Sequence, residues 1–137
     1  MGVSEAVVQQ RARVEHPAHT GGVLWRNNSG ACTDDTGRLI RYGLGNDSAA
    51  LNREIKSSDL IGITPVRCYV EGRGWTVLGV FTAFECKPEG WHQTPGDKRA
   101  IAQARFHDIV RQAGGFAGFI TSLPDMWRAL GMHGYNG

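Results

Sequence analysis

The sequence predicts an α/β or α+β domain, a mixed β-sheet flanked by helices. Three observations carry this. The run TVLGVFTAFECK (76–87) is dense in β-branched and aromatic residues, as expected of a central strand covered on both faces. KRAIAQARFHDIVRQA (98–113) places Ala102, Phe106, Ile109, Val110 and Ala113 three or four apart, the spacing of one helix face. FAGFITS (116–122) then returns to strand character, so strand and helix alternate as in layered α/β folds.

The remaining elements follow in order. Ser4 caps a helix with Glu5 in its first turn, running to about Val14. HPAHTGG (16–22) ends it, and VLWRN (23–27) reads as a strand. NSGACTDDTGR (28–38) is rich in turn formers and is expected to be a loop or hairpin connection. RLIRYGL (38–44) is a second strand, and GNDSAALNREIKSS (45–58) is irregular with a short helical turn over 49–53. DLIGITPVRCYV (59–70) is a strand ended or bent by Pro65, and EGRGW (71–75) is a turn. PEGWHQTPGD (88–97) is a loop, Gly114 and Gly115 stop the second long helix, and PDMWRALG (124–131) is a short last helix. MHGYNG (132–137) is a loose tail. The order is roughly α-β-β-β-α-β-α.

Composition narrows the function. With 137 residues, 41% of them hydrophobic, the chain suits one domain spanning 1–137 with a single core. A net charge of +2 permits nucleic-acid binding without indicating it. Cys32, Cys68 and Cys86 are too few and too widely spaced for a disulfide framework or a zinc site. The five histidines show no HExxH spacing, and GGFAGFI lacks the lysine of a phosphate loop. The N-terminal stretch has no apolar signal region, and no run approaches the roughly 20 apolar residues of a membrane span. The expected setting is cytoplasmic, in a bacterium or a virus-infected host, without secretion or membrane contact.

The chemistry gathers at SSDLIG (57–62) and FECK (84–87). Glu85 and Lys87 are two apart on one strand, so both point to the same face near its end. Asp59 opens a neighbouring strand. Side by side, the two strands would bring Asp59 against Glu85. Two close carboxylates repel each other unless a cation lies between them. A hard divalent ion, Mg²⁺ or Mn²⁺, accepts such oxygen ligands. Lys87 then stands beside the metal, where it can orient a water or offset phosphate charge.

Six pieces in order, RNNSG (26–30), RLIRYGLGN (38–46), SSDLIGI (57–63), FTAFECK (81–87), AQARFHDIV (102–110) and GGFAGFITS (114–122), resemble the VRR-NUC domain of the PD-(D/E)xK nuclease superfamily. More narrowly, they resemble its small stand-alone viral and bacterial members. The resemblance implies a restriction-endonuclease-like fold, with Asp59 and Glu85 as metal ligands and Lys87 as the catalytic lysine. It implies the backbone carbonyl of Cys86 as a further ligand, and Gln103 as the glutamine on the following helix. Helix spacing also turns Gln103 toward the sheet, in line with Phe106 and Val110. Glu5 matches the acidic residue of the family's first helix, with Glu15 as its competitor. The implied activity is metal-dependent cleavage of DNA, branched or junction-like, by a homodimer.

For holding DNA, Arg26, Asn27, Asn28 and Ser29 form a polar knot after a strand, and Arg41, Lys56 and Lys98 add phosphate contacts. Arg38, Arg53 and Arg99 lie nearby in sequence. Trp91 and His92 offer a stacking surface, while Trp25 and Trp75 read as core or sheet-face residues. The alternatives are a binding module that has lost catalysis, or an α/β enzyme of another class. The second lacks any GxGxxG cofactor motif.

Overall fold

The computed structural model describes residues 2–132. Helix α1 (Glu5–Thr20) begins at Ser4, whose hydroxyl accepts the N–H of Val7. Strands follow as β1 (Val23–Arg26), β2 (Gly30–Thr33) and β3 (Leu39–Tyr42), then helix α2 (Ala49–Glu54). The long strands β4 (Leu60–Val70) and β5 (Gly74–Cys86) form a hairpin. Helix α3 (Lys98–Gln112), strand β6 (Phe116–Ile120) and helix α4 (Leu123–Ala129) complete the described chain.

Four strands make a mixed sheet in the order β1-β4-β5-β6, antiparallel except for the β5/β6 pair, while β2 and β3 form a separate two-stranded sheet. The fold is therefore α/β with a mixed four-stranded sheet flanked by helices. One sheet face packs Leu60, Phe84, Cys86 and Ile120 against Val8 and Ala12 of α1 and Met126 and Trp127 of α4. The other packs Ala83 and Ala117 under Phe106 and Val110 of α3. Fully burying a side chain such as Phe84 or Leu60 contributes about 1.5–3 kcal/mol, so these layers dominate stability. Gly62 lets β1 lie close, since a Cβ there would meet the Val23 carbonyl oxygen at 1.9 Å.

Several elements differ from the sequence reading. The first helix does not stop at Val14 but runs through Pro17 to Thr20, and Gly21, at φ 76°, ends it. Buried His16 bonds Thr64 at 2.8 Å, and this anchor offsets the helix hydrogen bond that Pro17 removes. Segment 28–38 contains strand β2, which pairs with β3 away from the main sheet. Strand β4 passes straight through Pro65, which lies beyond the stretch paired with β1, where a missing N–H leaves no gap in the ladder. Strand β5 is covered on both faces only over 82–86, and its other half projects past the helices. Ile109 and Ala113 are exposed rather than in the core, because α3 ends over that uncovered half. Met132 packs against the core instead of belonging to a loose tail, and 133–137 lie outside the described residues. No helix among the described residues is long and apolar enough to cross a membrane.

Candidate active site

Register builds the site. Leu60 stands opposite Phe84, so the next pair outward is Asp59 and Glu85. Both lie on the face that α3 covers, with Ala83 and Ile61 behind them. The first turn of α1 brings Glu5 to the same point. One carboxylate oxygen from each of Glu5, Asp59 and Glu85 lies within 4.8 Å of the others. Glu15, the competing acid, instead pairs with His19 one turn along α1 at 2.9 Å.

Glu85 is 3% exposed. Burial first, then hydrogen bonding to Asp59 and the negative charge of Asp59, raise its pKa far above the ordinary glutamate range; the Lys87 ammonium opposes this and the Glu5 charge adds to it. The Lys87 ammonium is 4.0 Å from Glu85. The Cys86 N–H donates to Asp59 Oδ2 at 3.0 Å, and its thiol, on the opposite sheet face, is raised by burial and stays neutral. Asp59 and Glu85 line a cleft of about 430 Å³; Cys86, whose carbonyl was expected as a ligand, is not among its lining residues.

Gln103 faces the same cleft from α3, 1% exposed, and its Oε1 has no hydrogen-bond partner among the described residues. A buried acceptor costs free energy unless it is satisfied. The three carboxylates offer an all-oxygen donor set, which fits a hard divalent cation better than zinc or copper, and the Gln103 amide lines the cleft that Asp59 and Glu85 line.

The same cleft has a basic part to its lining. Arg41, Lys56 and Arg99 line it, and none has a carboxylate within ion-pair distance among the described residues. Burial, then the nearby Arg99, lower the Lys56 pKa. Asn28 and Ser29 line the same cleft. Arg26 does not join them, because it sits over α1 beside Gln9, Gln10 and Arg13. Lys98 is also absent from the lining; the next residue, Arg99, takes that place. Trp91, half-buried, packs onto Phe119 and against the Lys87 ammonium. Trp25 and Trp75 are exposed sheet-face residues.

Three asparagines frame the cleft: Asn27, already singled out in the sequence, and Asn46 and Asn52, which the sequence reading missed. Asn27 donates to Ser57 Oγ and the Ser58 carbonyl, locking the turn before Asp59. Asn46, buried, donates to the Gly30 and Tyr42 carbonyls and accepts from Arg41, so it ties the β2–β3 hairpin over the cleft. Asn52 accepts from Lys56. Only their density between turn residues marks Asn46 and Asn52 in the sequence. Behind the site, Ser58 bonds His107 at 2.9 Å, and burial keeps that imidazole neutral by lowering its pKa to about 4.

No family model, curated protein or solved structure matches this chain.

Proposed function

We infer that the chain is a metal-dependent endonuclease of restriction-endonuclease-like fold that hydrolyses DNA phosphodiester bonds, with branched or junction-like DNA as the substrate. The observation that carries this is the meeting of Glu5, Asp59 and Glu85 within 4.8 Å, with Lys87 4.0 Å from Glu85. The resemblance of SSDLIGI, FTAFECK and AQARFHDIV to the VRR-NUC domain supports the same reading.

Glu5, Asp59 and Glu85 would hold Mg²⁺ or Mn²⁺, which when bound supplies charge neutralisation at the phosphate and a nucleophilic water. Lys87 offsets the charge that builds on the phosphate oxygens and orients the attacking water. Gln103 Oε1 accepts a hydrogen bond from that water. Arg41, Lys56 and Arg99 hold the flanking phosphates, which fixes register without reading sequence.

A homodimer is part of the proposal. On the α3 side of the projecting β4–β5 ribbon, Ile63, Tyr69, Trp75, Val77 and Phe81 are exposed, with Ile109 beside them. Their exposed parts amount to roughly 600 Å² per copy. Two copies would bury about 1,200 Å², at the lower end of specific interfaces.

The test is cleavage of labelled four-way junction, flap, single-stranded and duplex DNA in Mg²⁺, Mn²⁺ or EDTA, with Lys87→Met as control. Cutting that needs metal and is lost in the variant is expected. Junction binding with no cutting would instead make the chain a binding module that has lost catalysis.

A further inference from the structure

Lys87 is held in an unusual way. Its side chain is 12% exposed, and its ammonium lies 5.2 Å from the ring centre of Trp91 and 5.9 Å from that of Phe119. The two rings pack together at 4.8 Å, tilted by 43°. Phe119 is the register partner of Glu85 on β6, so one ring is built into the sheet beside the carboxylate. Trp91 comes from the turn after β5, where its N–H donates to the Pro88 carbonyl at 3.1 Å. Among the described residues, Glu85 at 4.0 Å is the one carboxylate within ion-pair reach of Lys87, and no hydrogen-bond acceptor engages the ammonium.

A lysine side chain left in water samples many rotamers and places its charge poorly. A hydrogen-bonding clamp would fix it but would occupy its N–H donors. Two ring faces restrain the cation through their quadrupoles and leave those donors open. We propose that Trp91, with Phe119, is the positioning element of Lys87, holding the ammonium beside Glu85 with its donors free for phosphate or water. This rests on the nuclease reading above. It also assigns Trp91 a role directed inward at the enzyme, away from the bases of the substrate.

The experiment uses the full chain with ¹³C-labelled lysine, Lys87 being identified by its loss in Lys87→Met. In the wild type, the Lys87 ε-methylene protons are expected upfield of the other lysines, shifted by the ring currents. Trp91→Ala should move them most of the way to the ordinary position, with Phe119 accounting for what remains, and Trp91→Phe should keep most of the shift. In Mn²⁺-dependent cleavage of a labelled four-way junction, Trp91→Ala should lower kcat by about ten- to a hundredfold. KM should stay unchanged, and Trp91→Phe should restore the rate. Unshifted Lys87 protons in the wild type would overturn the proposal. So would a Trp91→Ala enzyme with raised KM and normal kcat, which would mean that Trp91 touches DNA. If the wild type cuts no DNA, the nuclease reading falls, while the lysine spectra still decide whether the rings hold Lys87.

Discussion

The Cys86 N–H donates to Asp59 Oδ2 at 3.0 Å, so the strand that carries one carboxylate of the cluster also fixes the other. This separates charge from shape. Asp59→Asn keeps an acceptor for that N–H and should fold with near wild-type stability, yet lose cleavage by at least about a hundredfold. Asp59→Ala leaves the buried N–H unpaired and should cost about 1–3 kcal/mol in denaturant unfolding. Equal stability of the two variants would show that the hydrogen bond does not organise the site.

A second expectation concerns pH. In the metal-free fold Glu85 holds its proton well above the ordinary glutamate range, chiefly through burial. Such a group contributes stability that is full below its unfolded pKa and is lost as pH rises toward its folded pKa. Metal-free wild type should therefore weaken relative to Glu85→Gln between about pH 5 and about pH 8 in thermal melts. Mn²⁺ held by Glu85, as proposed, would displace that proton, so its stabilising shift should be larger at about pH 8 than at about pH 6, and absent in Glu85→Gln. A shift independent of pH would remove Glu85 from the ligand set.

The basic part of the cleft lining makes a third prediction. Lys56→Met and Arg99→Met should each weaken DNA binding and lower the slope of log affinity against log salt by about 1. Arg26→Met should change neither, because Arg26 lies over α1, away from the cleft. Titrations by fluorescence anisotropy at several salt concentrations would read all three. A larger effect of Arg26 would put the DNA on the wrong side of β1.

The fourth concerns the projecting ribbon. Trp75, 66% exposed, stacks edge-on against Tyr69 and carries Arg67 over its ring. Sedimentation should find the wild type dimeric at micromolar concentration, and Trp75→Glu with Val77→Glu monomeric with an unchanged melting temperature. A monomeric wild type would end the dimer proposal.

Much of the architecture was legible because periodicity is a local property. The spacing of Ala102, Phe106 and Val110 predicts both α3 and its buried face, and the β-branched density of 76–86 predicts β5. Partners that lie far off in sequence decided the rest. Pro17 reads as a stop until His16 is seen bonded to Thr64 on β4. Glu15 competes with Glu5, which the resemblance favours, until the path of α1 puts Glu5 at the strand ends and Glu15 beside His19. Lys98 and Arg99 are adjacent, and only the rotation of α3 turns the second into the cleft. Ile109 fits the apolar stripe but overhangs a stretch of sheet with no helix above it.

The span of chain between the clustered carboxylates has a further consequence, for synthesis. Glu5 and Glu85 are 80 residues apart, and α1 must wait for β4 and β5 before its first turn can join them. The turn that follows β5 completes the docking, since Glu89 accepts the Val3 N–H and donates its own N–H to the Val3 carbonyl. A nascent chain still lacking β5 therefore cannot assemble the carboxylate cluster, however well α1 has formed. If the cluster arms a nuclease, a ribosome carrying a half-made copy carries no active blade, and the cut becomes possible only once the sheet has closed.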